Sequence, residues 1–360
     1  MRLISALALT LALTLAVSPA VRAQQAERYT LEGDEAAVYN LVGDLRVEAG
    51  QGAVTVQVTR GGPAAGQLKV AHGDLDGRDA LRVIYPSDRI AYAGLEHGSS
   101  THLRVRDDGT FGDAEEWDRH HRDWDDDGHR VTISGAGAGL DAHADLLVRV
   151  PPGSRVSLNL AVGRVTITNV QAELAVDAHD APVSSTGTRG ALSIDVGSGA
   201  VQVTQAEGEL SVDTGSGRVE LTRCKGSRLS VDTGSGDVTG SDLQATEIDI
   251  DTGSGEVRLA GIAAPRLTLE TGSGSVSADL HADVSELSVE TGSGDVTVKA
   301  PPSLGAEIEI ETSGGDIETD FPLQVTRQSR DHVVGQVGDG RGRIAIETGS
   351  GGIKLLKGGS

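Results

Sequence analysis

A short phrase recurs along the chain at an almost constant spacing of about nineteen residues. In each copy an apolar, polar, apolar, acidic sequence leads into Thr-Gly-Ser-Gly or a close variant, and a further apolar residue follows. Such a period is typical of repeat architectures, in which units too small to bury an apolar face alone stack on one another. The eight clearest copies begin at Leu192, Leu210, Leu229, Ile248, Leu267, Leu287, Ile308 and Ile344.

Apolar and polar residues alternate within each copy, which is the period of a strand with one buried face. In the copy that begins at Leu210, we expect Leu210, Val212 and Thr214 to face inward, and Ser211 and Asp213 to face outward. The following Gly-Ser-Gly predicts a corner, because glycine adopts backbone angles that are closed to other residues.

Successive units must travel round and begin again at the same place, so they are expected to pair in parallel. The sequence therefore predicts an all-β fold, a parallel β-solenoid of about 19-residue rungs, with rungs roughly 4.8 Å apart. An antiparallel sandwich is the alternative, but hairpin turns would not recur with this period and an unchanged phase.

Weaker copies, at Leu174, Leu158 and Leu45, extend the series towards the N-terminus. Residues 24–85 are accordingly predicted to form the first solenoid rungs and residues 131–360 the main solenoid. The period is lost over residues 86–130, which predicts an acidic, His-containing insertion loop of polar character. The spacing also nearly doubles between the copies at Ile308 and Ile344, which predicts one irregular rung or a cap.

Residues 1–23 have the features of a secretory signal peptide. Arg2 precedes an apolar run, and small residues at Val21 and Ala23 predict cleavage after Ala23. The run is shorter than the roughly 18 to 20 residues that span a bilayer, so a membrane anchor is disfavoured. No transmembrane segment is expected after cleavage, and the predicted location is extracytoplasmic: periplasm, cell surface or medium.

Acidic residues outnumber basic ones by 53 to 31, giving a formal net charge of −22. Nucleic acid is excluded as a partner, because binding its phosphates needs a concentrated basic surface. Cations and basic partners remain compatible with this charge.

The acidic residue of each copy recurs at one outward position, where stacking predicts a line of carboxylates. This line either collects divalent cations or keeps the long solenoid soluble by repulsion. Its predicted members are Asp195, Asp213, Asp232, Asp251, Glu270, Glu290, Glu311 and Glu347.

Cys224 is the only cysteine, so the fold cannot depend on internal disulfides. Cys224 lies five residues after Val219, and the residue at the same offset in other copies is apolar. This predicts a buried, inert thiol at the second corner. An intermolecular disulfide is the functional alternative. The equivalent residues are Val170, Ala206, Leu243 and Ile262.

The recurring T-G-S-G-D-V phrase, together with VRVPPGSRVSL at 148, APPSLGAEIEIET at 300 and GRIAIETGSGGIKL at 342, resembles the bacterial putative-adhesin β-strand-repeat family. The likeness covers Tyr29 to Leu356, apart from the 86–130 insertion. Members of that family are exported or envelope-associated, and their function is unknown. The resemblance thus implies a solenoid fold and an extracytoplasmic address, and it brings no catalytic residues.

Asp123, Asp125, Asp127 and Gly128 match the opening of a calcium loop, in which alternate carboxylates converge on the ion. Ser134 occupies the twelfth position, where a bidentate Glu would close the site. Calcium would therefore bind only weakly, no other cofactor is expected, and a solvated acidic loop is the favoured interpretation.

His120, His121 and His129 lie in the same segment and raise the alternative of a zinc site. Adjacent histidines usually point apart, and no Cys or His spacing supports such a site.

Catalytic carboxylates in a solenoid would break the repeat, whereas the acidic residues here obey it. The sequence thus predicts that the protein is not an enzyme but an exported β-solenoid scaffold with an adhesive or envelope-structural role. Its partner is expected to be an envelope or surface component whose identity the sequence does not give. A sensor or regulatory module that binds a protein, and a solenoid that binds or cleaves carbohydrate, are the alternatives.

Overall fold

The computed structural model describes residues 26–33, 35–112 and 128–358. Regular structure within these ranges consists of β-strands and one 3₁₀ turn at Ala65–Gln67. No helix in the described ranges is long and apolar enough to cross a membrane. The predicted signal peptide, residues 1–23, lies outside them.

The strands fall into three groups along the chain. The first group contains β1 (Glu27–Leu31), β2 (Glu35–Ala49), β3 (Val54–Gly61), β4 (Lys69–Leu75), β5 (Arg78–Ile84), β6 (Arg89–Ala91), β7 (Ser100–Val105), β8 (His129–Ser134), β9 (Leu140–Asp141) and β10 (His143–Val150). The second contains β11 (Arg155–Thr168), β12 (Glu173–Asp180), β13 (Val183–Thr186), β14 (Leu192–Ser198), β15 (Val201–Thr204), β16 (Leu210–Ser216), β17 (Val219–Thr222), β18 (Lys225–Ser235), β19 (Val238–Ser241), β20 (Gln244–Thr252), β21 (Val257–Ile262), β22 (Arg266–Thr271), β23 (Val276–Leu280), β24 (Glu286–Thr291) and β25 (Val296–Ala300). The third contains β26 (Ala306–Thr312), β27 (Ile317–Thr319), β28 (Gln324–Gln328), β29 (His332–Val337), β30 (Gly342–Thr348) and β31 (Ile353–Lys357).

Two columns of parallel strands form the body of the molecule, and this arrangement confirms the predicted β-solenoid. The long strands β2 and β11 contribute to both columns, one strand half to each. The first column runs β2, β11, β12, β14, β16, β18, β20, β22, β24, β30, β26. The second column runs β2, β11, β13, β15, β17, β19, β21, β23, β25, β31, β27.

The predicted inward positions form the core between the columns. Each side chain is stacked on the same position of the next rung, and all of them are at most 2% exposed. The two inward lines of the first column include Leu210, Leu229, Ile248 and Leu267, and then Val212, Val231, Ile250 and Leu269.

The corners require glycine for a different reason from the one predicted. Among the repeat glycines, Gly199 and Gly294 have a clearly positive φ, but most do not. A Cβ on Gly236 would instead lie 2.0 Å from the carbonyl oxygen of Gly217, one rung away. Gly255 is in the same situation against Gly236, also at 2.0 Å. Glycine is therefore needed because the backbones of adjacent rungs approach too closely for a side chain.

A buried threonine precedes the corner in the copies from Leu210 onwards. From Thr252 onwards its hydroxyl bonds to the neighbouring rung, whereas the hydroxyls of Thr214 and Thr233 have no hydrogen-bond partner among the described residues. Thr252 Oγ1 donates to the Gly236 carbonyl at 3.3 Å, and Thr291 Oγ1 donates to that of Gly274 at 3.0 Å. Each of these two hydroxyls thus supplies a hydrogen-bond donor to a corner carbonyl.

The copy predicted at Leu45 is out of phase with the structure. Leu45 pairs with Val165 in the second column, whereas Val38 pairs with Leu158 in the first. The corner of this rung is Gly43, which stacks against Gly163. The two are so close that a Cβ on Gly163 would overlap the carbonyl oxygen of Gly43. A single glycine makes this corner. The AGQG sequence at residues 49–52 is similar to the Gly-Ser-Gly of the repeat, but it leads from β2 into β3 and is not a corner of the solenoid.

The predicted boundaries at the N-terminal end also differ from the structure. Within 24–85 only β2 forms a complete rung, and it pairs directly with β11. β5 and β10 each add one parallel strand to an end of the two columns. β4, β3 and β1 then continue the sheet as antiparallel strands. The described residues between 50 and 150 thus form an end structure, not a run of rungs.

The described part of the 86–130 insertion is not only a loop, contrary to the prediction. β6 and β7 pair with β8, and β9 completes a separate sheet of four strands. Ile90, Val105 and Val131 are buried, which explains why a segment of polar composition can hold strands. Residues 113–127, which include the predicted calcium ligands, lie outside the described ranges.

The widened spacing before Ile344 is a cap, one of the two outcomes predicted. β28 and β29 form an antiparallel hairpin, and β29 pairs antiparallel with β26 at the end of the first column.

A matched pair of substitutions in β18 tests the assignment of its two faces. Val231 is buried and Ser230 is half-buried on the outer face. We expect Val231→Asp to lower the free energy of unfolding by about 3 kcal/mol or more, because it places a charge in the core. Ser230→Asp should change it by at most about 1 kcal/mol. Equal effects on urea unfolding would contradict the assignment.

Candidate functional surface

Carboxylates follow one line on the outer face of the first column, and we call this line the acidic ladder. Each member is paired directly with the next through strand register, and the line includes one residue that the sequence reasoning missed, Asp177. In spatial order the acidic ladder is Asp177, Asp195, Asp213, Asp232, Asp251, Glu270, Glu290, Glu347 and Glu311.

The acidic ladder lies on the solvent side because its residues alternate with buried ones. Asp177 is half-buried and the other members are exposed. Paired positions on neighbouring parallel strands are about 4.8 Å apart at the backbone. Two carboxylates at that separation repel by about 1 kcal/mol in water. The sequence thus maintains a repulsive line that serine or threonine would avoid.

Two members in the middle of the acidic ladder show this environment most clearly. Partial burial raises the pKa of Asp251, and the negative charges of Asp232 and Asp249 raise it further. The pKa of Glu270 is raised by partial burial and then by the charges of Asp251, Glu290 and Asp249. Both groups therefore hold protons more tightly in the folded chain than in the unfolded chain.

A second line of charge runs beside the acidic ladder, and we call it the alternating column. Its residues immediately precede the first inward residue of each rung, and their sign changes from rung to rung. Glu247 lies between two arginines, with Arg228 Nη1 at 3.3 Å from Oε1 and Arg266 Nη2 at 3.7 Å from Oε2. In spatial order the alternating column is Arg228, Glu247, Arg266, Glu286, Arg343 and Glu307.

The sequence reasoning missed the alternating column, although the signal was present. Arg or Glu precedes the apolar residue that opens each of these copies. The alternation is hidden when the copies are read in chain order, because Glu286 and Glu307 then follow one another. Only the spatial order, with Arg343 between them, reveals it.

Cys224 is buried as predicted. Its side chain is fully inaccessible and lies at the corner between β17 and β18, where the equivalent residues of other rungs are also buried. Sγ is 3.8 Å from the Val203 carbonyl oxygen and 3.7 Å from that of Thr222. Burial raises the pKa of the thiol, which disfavours the reactive thiolate.

The predicted metal ligands cannot be placed by the structure. Asp123, Asp125 and Asp127 lie outside the described residues, as do two of the three histidines. His129 is described, with Nε2 at 3.3 Å from Asp88 Oδ1 and Nδ1 at 3.7 Å from an oxygen of Asp107. Within the described ranges, no three His, Cys, Asp or Glu residues are grouped so that they could hold a metal ion.

A small cavity lies between the main sheet and the four-stranded sheet. Its volume is about 150 Å³, and its lining includes Leu41, Val83, Tyr85, Val105 and His129. Pockets that enclose small organic ligands usually measure about 300 Å³ or more. This cavity is therefore below the usual size of a cofactor or substrate pocket.

The repeating architecture is that of a known protein family. The sequence profile of the Toastrack DUF4097 family matches residues 144–356, more than half of the chain. The chain belongs to this family. Toastrack domains are β-solenoids of unknown function, so the predicted putative-adhesin family and the predicted fold are both confirmed. The Toastrack family is not a known enzyme family.

Two solved structures are also similar to the chain, at low identity. One is a putative cell adhesion protein from Clostridium sporogenes, 11% identical, with a TM-score of 0.20 and coverage of 93% of this chain and 99% of that one. The other is a putative adhesin from Parabacteroides merdae, 13% identical, with a TM-score of 0.31 and coverage of 92% and 96%. Among curated proteins, none matches the chain. The family assignment rests on the Toastrack profile.

The raised pKa values of Asp251 and Glu270 predict how neutralising them changes stability with pH. Repulsion is present when both groups are ionised, so stability rises as pH falls through their raised pKa values and levels off below the unfolded ones. We expect Asp251→Asn with Glu270→Gln to raise the melting temperature by about 3 °C at pH 7 and low salt. This gain should vanish near pH 3.

The control for this measurement neutralises two exposed carboxylates outside the acidic ladder, Glu220→Gln with Asp283→Asn, and should leave the melting temperature almost unchanged. A lower melting temperature for the ladder variant at pH 7 would contradict the repulsion argument. Calcium compared with sodium chloride at equal ionic strength separates specific cation binding from screening, because only the former gives a calcium-specific rise.

Burial of Cys224 predicts slow chemistry at its sulfur. We expect the native protein to react with a thiol reagent at least about 100-fold more slowly than the urea-unfolded protein, because the thiol must first become exposed. Ser303→Cys, which places a thiol on the surface, supplies the fast-reacting control. Labelling of Cys224 as fast as that control, or a reducible dimer through Cys224, would contradict the buried assignment.

Proposed function

We propose that the protein is an exported, non-enzymatic scaffold whose acidic ladder presents a negative face to a basic component of the cell envelope. The observation that carries this proposal is the difference between the inward and the outward face of each rung. Every inward position is used by the core, whereas the outward acidic position is kept negative through nine successive rungs.

A continuous line of like charge supports a binding role for physical reasons. A linear array of carboxylates raises the local concentration of cationic partners and steers them by its field. A rigid stack also holds its charges at a fixed spacing, so a partner with regularly spaced positive groups loses little freedom on binding. Both properties suit attachment better than catalysis, which needs unlike groups that converge on one point.

Export is supported by residues 1–23, whose composition is that of a secretory signal. The adhesive and envelope-structural roles share this address. Both also require the folded solenoid to be retained by something in the envelope.

Fractionation of the native bacterium tests the proposal in two steps. Tagged full-length protein is expected in the periplasmic, surface or secreted fraction, and a chain without residues 1–23 is expected in the cytoplasm. Accumulation of the full-length chain in the cytoplasm would contradict export.

Retention by isolated envelopes tests the acidic ladder. Asp232→Asn, Asp251→Asn and Glu270→Gln together should reduce retention at least about fivefold, because the field at the centre of the line is lost. A control with the same change in charge is Glu32→Gln, Glu220→Gln and Asp283→Asn, all on exposed residues away from the ladder. Equal retention of the two triple variants would contradict the role of the ladder.

A further inference from the structure

The order of the rungs in space differs from their order in the chain at the C-terminal end of the stack. β30 and β31 follow β26 and β27 in sequence, yet they lie between β24 and β26 in the first column and between β25 and β27 in the second. We call residues 342–357 the inserted rung. We call the space between the rung of β24 and β25 and the rung of β26 and β27 the slot.

The core of the first column does not decide which rung occupies the slot. The inward residues of the three rungs in that column are nearly the same, and all are at most 2% exposed. Position for position, any of these rungs could stack on either of the others with the same register. These residues are Leu287, Ile344 and Ile308, then Val289, Ile346 and Ile310, and then Thr291, Thr348 and Thr312.

Charge does distinguish the inserted rung. Arg343 lies between Glu286 and Glu307 in the alternating column, so the slot offers one carboxylate on each wall. In the second column Lys354 Nζ lies 3.3 Å from Glu318 Oε2. Direct stacking of the two walls would instead place Glu286 against Glu307. The walls of the slot are therefore complementary in charge to the basic residues of the inserted rung. Direct stacking of the two walls, with no rung between them, would be repulsive.

The inserted rung makes its strand pairs with the walls of the slot, and only a short segment connects it to the strand before it. Backbone bonds fix both of its ends, from Gly342 N to the Gly305 carbonyl and from Gly358 N to the Ala300 carbonyl, each 2.8 Å. Four residues connect it to β29, and two of them, Gly338 and Gly340, have φ of +57° and +69°. A short turn of this kind can open into an extended hinge, which is the usual route to exchange of an element between copies.

We propose that the slot accepts residues 342–357 of a second copy of this chain, so that the protein assembles by exchange of the inserted rung. The exchanged segment makes the same strand pairs and the same contacts with Glu286, Glu307 and Glu318 as the chain's own segment does. Exchange differs from the closed form in the hinge and in the loss of freedom on association, and it is therefore favoured by high protein concentration.

Site-directed disulfide formation between two full-length chains tests this proposal. Ser288 and Ala345 are paired directly across one wall of the slot and lie on the outer face. A chain with Ser288→Cys is mixed at high concentration with a chain with Ala345→Cys, and the mixture is oxidised. We expect a covalent heterodimer linked between positions 288 and 345, identified by peptide mass mapping, with Cys224 unmodified because it is buried.

The matched control replaces the donor chain with Thr268→Cys. Thr268 is paired with Ser288 on the other side of the same strand, but its rung runs directly into that of Ser288 along the chain and has no slot. We expect at least about tenfold less heterodimer from this pair. A 288–345 dimer no more abundant than the 288–268 dimer would overturn the proposal.

Reversal of charge tests the role of the slot walls. A donor with Arg343→Glu and Ala345→Cys is expected to give about the same yield of heterodimer with the Ser288→Cys acceptor, because residue 343 meets Glu286 and Glu307 in the closed chain as well as in the exchanged dimer. An acceptor that also carries Glu286→Arg and Glu307→Arg should raise the yield with this donor several-fold, because exchange replaces like charges in both closed chains by opposite charges in both slots. Failure of the compensated pair to exceed the uncompensated pair would also overturn the proposal.

Discussion

The structure depends on how closely one rung can approach the next at its corners. Strand pairing sets the distance between neighbouring rungs at about 4.8 Å. At the corner, this spacing places the carbonyl oxygen of one rung where a Cβ on the glycine of the next rung would lie. A Cβ on Gly236, Gly255 or Gly274 would lie 2.0 Å from that oxygen. In several rungs the threonine before the corner donates to the same carbonyl, as Thr271 does to the Gly255 carbonyl that faces Gly274. Glycine recurs at the corners because the rungs of the repeat meet this one constraint.

Equivalent positions of successive rungs lie next to one another, and the two outer lines of charge respond to this in opposite ways. In the acidic ladder it places carboxylate beside carboxylate, which raises the pKa of Asp251 and Glu270 and leaves a negative face towards solvent. In the alternating column the chain avoids that repulsion by changing sign at each rung, as around Glu247. The difference indicates that repulsion on this surface can be relieved by sequence and is retained along the acidic ladder.

The sequence predicts the regular part of the stack because two periods overlap there. Alternation of period two assigns a face to each residue, and the nineteen-residue period assigns its neighbour in the next rung, so the core lines, Cys224 and the acidic ladder are all confirmed in place. The phase at Leu45 is wrong because AGQG imitates a corner that Gly43 actually makes. The order of the last rungs is not apparent in the core of the first column, because the inward residues there are equivalent, but it is apparent in the charges at Glu286, Arg343 and Glu307.

Unfolding of a chain with one corner glycine replaced tests the close-approach constraint most directly. Gly236→Ala should lower the free energy of unfolding in urea by about 3 kcal/mol or more, because the added methyl group forces two rungs apart. Gly66→Ala is the control, since a Cβ there meets nothing within 4 Å, and it should change the free energy by less than about 1 kcal/mol. If the two substitutions have equal effects, or if Gly236→Ala stabilises the protein, the rungs are not in contact at their corners and the stacking account is contradicted.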